Sequence, residues 1–335
     1  MIPCQRHRFS LPEDQAYLNC AYTSPLIDTA RDAALAAVAR KTQPWSITAQ
    51  DFFSGPEDVR ERFARLMGAN INSIALIPGV SYGIAIAAAT LPFRPGQNIL
   101  VLEDQFPSNI YSWRKKAASG GGHMVTVPRP ENYDWTAAVL EHLDEATGIA
   151  ALPHCHWTDG SRLDLAAIGK RCRELGAFLV IDGAQSLGAM PFDLESIRPD
   201  FVATAGHKWL MGAYSYSYLY VDEKWLATAT PLEENWLNRE GSEDLSRLVD
   251  YRDGYRDGAR KLDFGECSSF MLAPVNKAAL DALLDWTVQG VAETLEQRTD
   301  LIAERAKGLG LGFIPKEFRS PHMTGVTLNK TVTND

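Results

Sequence analysis

The chain has 335 residues, more than one hydrophobic core usually serves, which predicts a large domain plus a smaller one. Its 42 acidic against 33 basic residues give a formal charge of -9, and no stretch concentrates Lys and Arg as a phosphate-backbone footprint requires, which argues against nucleic acid as a partner. No apolar run reaches the roughly 18 residues of a membrane span, Met1–Ser10 has no apolar signal region, and the five cysteines form neither a C-x-x-C pair nor an even framework, so a cytoplasmic protein with reduced thiols and no membrane contact is expected.

In chain order, short runs rich in Val, Ile and Leu predict strands over Ser73–Ile77, Asn98–Leu102, His123–Val127, Ile149–Leu152, Phe178–Ile181 and Phe201–Thr204. Helical patterns fill the gaps, beginning with Tyr82–Leu91. Gly120-Gly121-Gly122 lacks the Lys-Ser/Thr ending of a P-loop and reads as a helix terminator. Over Arg162–Leu175, the residues Leu163, Leu165, Ile168, Cys172 and Leu175 make an apolar stripe, and Gly176 ends it. Ser215–Val221, aromatic on alternate residues, predicts a strand that closes the sheet antiparallel. This alternation of strand and helix is that of βαβ units, so the fold class is α/β, with a mostly parallel sheet covered on both faces.

After Pro231 the pattern changes. A charged, loop-rich stretch from Glu233 to Lys261 precedes one long helical region, Asn276–Leu309, with Gly290 as a candidate kink and His322–Leu328 as a last short strand. The expected division is an N-terminal segment 1–20, a large domain 21–230 and a smaller α+β domain 231–335.

In an open parallel sheet, ligands bind beyond the carboxyl ends of the strands. There FLVI runs into Asp182, and FVATAG runs into His207-Lys208. Alone, a lysine after a strand is usually a solvated surface residue and an aspartate there is usually a turn or helix cap. Together in one cleft they are what pyridoxal 5'-phosphate (PLP) needs: an amine for a Schiff base with its aldehyde, and an acid that keeps the pyridine nitrogen protonated. Pro78-Gly79-Val80-Ser81, between a strand and a helix, would meet a phosphate with backbone N–H groups and the Ser81 hydroxyl. Phe106 follows another strand end, where its ring can cover a cofactor face. His154-Cys155-His156 offers two imidazoles but no complete ligand set, so no metal is expected, and no hydrolase triad is evident.

These residues carry a resemblance to the class V aminotransferase group of fold-type I PLP enzymes, which includes cysteine desulfurases, kynureninases and isopenicillin N epimerase-like proteins. The similarity runs from about Tyr17 to Phe270, and its most specific parts are HWTDGSRLDL at His156–Leu165, VIDGAQSLGAMPFDL at Val180–Leu194 and GHKWLMG at Gly206–Gly212. The resemblance implies Lys208 for the Schiff base, Asp182 for the ring nitrogen and Gln185 for the ring hydroxyl. It also implies Val80, Ser81 and His207 for the phosphate, Phe106 stacked on the ring, and Trp157 or Thr158 at its border. It further implies a homodimer in which Gly265–Phe270 faces the partner's cofactor. Where relatives have Gly-Thr, the chain has Gly265-Glu266, with Ser268 or Ser269 as substitutes. Relatives continue past the equivalent of Leu328 into a segment bearing an arginine for the substrate carboxylate; within this chain Arg260 and Asn19–Tyr22 are the candidates.

The expected activity is that of a PLP enzyme acting at the α-carbon of an amino acid, aminotransferase-like. The alternatives are a C–S lyase, a desulfurase or an epimerase and, from another class, a PLP-binding structural or regulatory protein with little catalysis. A desulfurase needs a thiolate. Cys267 lies in a segment expected near the cofactor, with Cys155 second, and the neighbouring Glu266 is expected to raise the Cys267 pKa and disfavour that role.

Overall fold

The computed structural model describes residues 1–328. In chain order the elements are α1 (Asp28–Lys41), α2 (Asp51–Met67), β1 (Ile74–Ile77), α3 (Val80–Thr90), β2 (Asn98–Leu102), α4 (Tyr111–Gly120), β3 (His123–Val127), α5 (Trp135–His142) and β4 (Thr147–Pro153). They continue with α6 (Leu165–Leu175), β5 (Phe178–Asp182), α7 (Leu194–Ile197), β6 (Phe201–Thr204), β7 (Ser217–Val221), α8 (Leu272–Trp286), α9 (Val288–Ala306), β8 (Leu311–Phe313) and β9 (Val326–Leu328). Strands β1 to β7 form one sheet in the order β1-β7-β6-β5-β4-β2-β3. β7 runs antiparallel to both β1 and β6, and the other pairings are parallel.

Apart from the edge strand β3, the sheet is buried on both faces, which is why its strands read as largely apolar runs. In β1, Ile74 and Leu76 pack with Val59 and Phe63 of α2, while Ala75 and Ile77 pack on the other face with Ile84 and Ala87 of α3. Each large side chain so buried contributes about 1.5–3 kcal/mol. The result is the α/β fold with helices on both faces. No helix among the described residues is long and apolar enough to cross a membrane.

Local chemistry sets the element ends. Gly121 (φ 72°) and Gly176 (φ 71°) terminate α4 and α6 in the left-handed conformation. α6 begins at Leu165 rather than Arg162, because the Asp164 carboxylate caps the N–H groups of Ala166 and Ala167 while Arg162 bridges back to Cys155. β7 begins at Ser217, since Ser215 at φ 65° cannot continue a strand. The expected single helix over Asn276–Leu309 is two. Thr287 (φ 58°) breaks it, and the Thr287 hydroxyl accepts the Gly290 N–H at 3.0 Å, so Gly290 sits in a capped first turn rather than at a kink.

The stretch from Glu233 to Lys261 is loops and short turns, as expected, and it leads into a segment anchored by a buried ion pair. Arg60 of α2 meets Asp263 at 2.6 and 3.1 Å, and an Asp263 oxygen also accepts the Leu76 N–H at 2.8 Å. With Phe264 N–H donating to the Leu76 carbonyl, this segment covers the edge of β1. Farther on, residues 318–325 return across the loop after β4: Arg162 N–H donates to Phe318, Ser320 N–H to Gly160, and Gly325 N–H to Asp159. Gly160 (φ 80°) makes that approach possible, because a Cβ there would lie 2.4 Å from the Met323 carbonyl oxygen.

Candidate active site

The carboxyl ends of β1, β2, β4, β5 and β6 all reach one edge of the sheet, and a cavity of about 580 Å³ opens there. Asp182 ends β5 and is buried; its Oδ1 accepts the Ala184 N–H at 3.0 Å. Burial raises its pKa, against the lowering influence of that N–H and of the Lys208 charge. Lys208, four residues past β6, holds its Nζ 5.3 Å from the centroid of the Phe106 ring, and among the described residues that amine has no hydrogen bond or ion pair. Burial lowers its pKa, opposed by Asp182 and Cys155.

Gln185 is held at both ends of its amide. The Trp209 indole N–H donates to Oε1 at 2.9 Å, and Nε2 donates to the Ala21 carbonyl at 3.0 Å, which leaves one amide N–H free. Val80 and Ser81 open α3 after Gly79, whose backbone is extended and caps nothing with a side chain. Among the described residues neither the Val80 nor the Ser81 N–H has an acceptor, and a Cβ at Gly79 would stand in open space. Both N–H groups border the cavity at the positive end of a helix. His207 also lines it, with its ring 4.5 Å from that of Tyr214 and its pKa lowered by burial and by Lys208. Phe106 and Trp157 meet edge to face at 5.5 Å on the cavity wall.

The structure thus brings together Val80, Ser81, Phe106, Trp157, Asp182, Gln185, His207 and Lys208. It does not bring Thr158, which is a correction: the Thr158 hydroxyl is turned away to the His156 ring (2.8 Å) and to Arg129 (3.1 Å), and the preceding Trp157 takes the cavity position. Arg260 is likewise unavailable to a substrate carboxylate, because it forks onto Glu57 at 2.6 and 2.9 Å away from the cavity. Asn19–Tyr22 runs beside Gln185 through Ala21. The two cysteines exchange places: Cys155 lines the cavity, whereas Cys267 is buried beside Asp263. The Cys267 pKa is raised first by burial and next by Asp263, not by the exposed Glu266.

Sequence reasoning missed Gln105, Tyr214 and Ser215 on the cavity wall. Gln105 was within reach of the strand-end rule, standing three residues past β2. Its amide bonds to the carbonyls of Asn109 (2.9 Å) and Ala151 (3.0 Å) and shapes the turn that presents Phe106. Tyr214 lies on a loop with no periodic signal, and the alternating pattern that begins at Ser215 points to a strand rather than to the cavity wall.

This donor set fits PLP. Two free helix N–H groups suit a phosphate, and Asp182 has a carboxylate oxygen without a donor among the described residues. The free Gln185 N–H suits a ring oxygen, and the unpaired Lys208 amine belongs to a residue of the same cavity wall. Comparison with known proteins agrees. Over 310 residues the chain is 26% identical to the kynureninase of Deinococcus radiodurans, covering 88% of this chain and 72% of that one. It is 26% identical over 188 residues to the uncharacterized aminotransferase YcbU of Bacillus subtilis (strain 168), covering 56% of this chain and 50% of that protein. The chain spans about half the length of several curated relatives it matches. In fold it superposes on the cystine C–S lyase C-DES, solved with its reaction product cysteine persulfide, with a TM-score of 0.82 and 21% identity, covering 94% of this chain and 84% of that one. Residues 26–236 match the family described as aminotransferase class V. The chain therefore belongs to the class V aminotransferase family, with PLP as its cofactor.

Proposed function

We propose that the protein is a PLP enzyme that acts at the α-carbon of an amino acid, with Lys208 and Asp182 as its catalytic residues. The carrying observation is that both face one cavity beside the free N–H groups of Val80 and Ser81. When bound, PLP supplies an aldehyde that captures an amine and a ring that takes up charge from the substrate α-carbon. Lys208 holds the cofactor at Nζ. The same amine, its pKa lowered by burial, takes a proton from the substrate α-carbon and delivers it again. Asp182 would accept a hydrogen bond from the ring nitrogen and keep its proton in place, and Gln185 would donate to the ring oxygen through its free amide N–H. Val80, Ser81 and His207 would hold the phosphate, and Phe106 would cover one face of the ring.

Transamination is the main reading, because it needs no protein group beyond Lys208 to move the proton. Epimerisation and C–S cleavage begin with the same proton transfer. The raised pKa of Cys155, set by burial and by Asp182, favours a cleavage that uses no protein thiolate over a desulfurase route. Incubation with single amino acids, followed by mass analysis, separates the outcomes as keto acid, inverted amino acid or sulfide. No product from any amino acid would favour a regulatory PLP-binding protein.

The reading includes a cytoplasmic homodimer built from a cofactor-binding domain, 21–230, and a smaller domain, 231–335. The exposed Tyr214 and Leu232 on the cavity wall support a partner surface there. A stable monomer at full cofactor occupancy in sedimentation would contradict the dimer.

A further inference from the structure

Gln185 is useful to a cofactor only if its amide faces the right way, and a carboxamide is nearly symmetric in shape. Its orientation depends on Trp209, whose indole N–H takes Oε1, and on the backbone that carries the side chain. That backbone carbonyl receives two further contacts. The Cys155 thiol donates to it at 3.0 Å, and His322 Nε2 lies 2.5 Å from it. His322 stands 137 residues downstream, between α9 and β9, and its ring meets the Trp209 ring edge-on, 4.4 Å between centroids at 83°. One imidazole therefore touches both the carbonyl of Gln185 and the indole that sets the Gln185 amide.

The imidazole is itself firmly held. It is buried, and burial lowers its pKa to about 4, against the raising influence of the Gln185 carbonyl. A neutral ring next to a carbonyl oxygen carries its proton on Nε2, so His322 donates. Ser320 N–H bonded to Gly160, Gly325 N–H bonded to Asp159, and the Thr299 hydroxyl donating to Pro321 at 3.0 Å fix the segment on both sides.

We propose that His322 is a positioning residue of the cofactor site, orienting Gln185 so that its free amide N–H meets the cofactor's ring oxygen. The proposal rests on the reading of the cavity as the cofactor site. It makes the segment between α9 and β9 part of the active site's support, although it contributes no atom to the cavity lining.

The test uses His322→Phe, which keeps a ring against Trp209 but removes the donor, and His322→Gln, which keeps a donor. The carbonyl retains its Cys155 contact, so the fold is expected to survive, as checked by thermal melting. With PLP bound, His322→Phe is expected to raise the cofactor Kd about fivefold, the equivalent of one ordinary hydrogen bond. It should also move the midpoint of the cofactor's absorbance-versus-pH titration upward, because a weaker donor no longer stabilises the ring oxygen anion. His322→Gln should restore both values in part. If His322→Phe does not fold, Trp209→Phe, which removes the N–H to Gln185 Oε1, should give the same two shifts. Unchanged Kd and midpoint in a folded His322→Phe, or in Trp209→Phe, would overturn the role. Failure of the wild-type protein to attach PLP at Lys208 would instead overturn the cofactor-site reading, and this role with it.

Discussion

Asp182 and Lys208 face one cavity from the ends of the adjacent parallel strands β5 and β6, yet no ion pair joins them. A direct pair would neutralise both groups and fill the space between them. Without one, both groups stay free to meet a ligand in the cavity of about 580 Å³ that they line. Burial pushes both toward their neutral forms, the carboxyl up and the amine down.

From this arrangement, borohydride reduction of the PLP-loaded protein is expected to fix the cofactor to Lys208. Peptide mapping checks it. A label on another lysine, or none after reconstitution, would remove the basis of the functional reading.

Asp182→Ala is expected to retain covalent attachment while losing about 10²–10³-fold in turnover, since the ring nitrogen loses the carboxylate that holds its proton. Single-turnover rates with a reactive amino acid measure the loss. Full activity in this variant would rule out the role given to Asp182.

Burial raises the pKa of both Cys155 and Cys267, so neither is a thiolate near neutral pH. The protein should form no persulfide with cysteine. Sulfide release that disappears in Cys155→Ala would promote the desulfurase alternative. Release that survives removal of both thiols would indicate direct elimination.

Asp263→Ala leaves the fully buried Arg60 charge without its closest charged partner and frees the Leu76 N–H on β1. The expected cost is about 3–5 kcal/mol, as for other broken buried pairs. Urea unfolding gives the value, and a loss below about 1 kcal/mol would show that the segment over β1 is held by packing alone.

His154 and His322 are buried with pKa values lowered to about 3 and about 4, so the unfolded chain binds more protons than the native one from pH 6.5 downward. Their stabilisation is complete above pH 6.5 and is lost as the pH falls toward those values, at about 1.4 kcal/mol per histidine for each unit. Chemical denaturation between pH 7 and 5 should show the slope, and the double variant His154→Gln with His322→Gln should flatten it. An equal slope in that variant would assign the effect to other groups.

The sequence by itself determined the alternation of strands and helices, because a sheet buried on both faces requires uninterrupted apolar runs such as Ile99–Leu102 and Phe201–Ala203. It also pointed to the residues after β1, β2, β5 and β6, which the fold gathers around one cavity, because ligand-binding side chains in such a sheet follow the strands directly. Only the tertiary structure decided between Trp157 and Thr158, since neighbouring residues on a turn point in different directions and the partners of Thr158, His156 and Arg129, meet it only in the fold. The same holds for Cys155 against Cys267, and for Arg260, which Glu57 claims from a distant helix. His322 was legible only as part of a short strand. Its contact with Gln185 spans 137 residues and has no periodicity for a local pattern to carry.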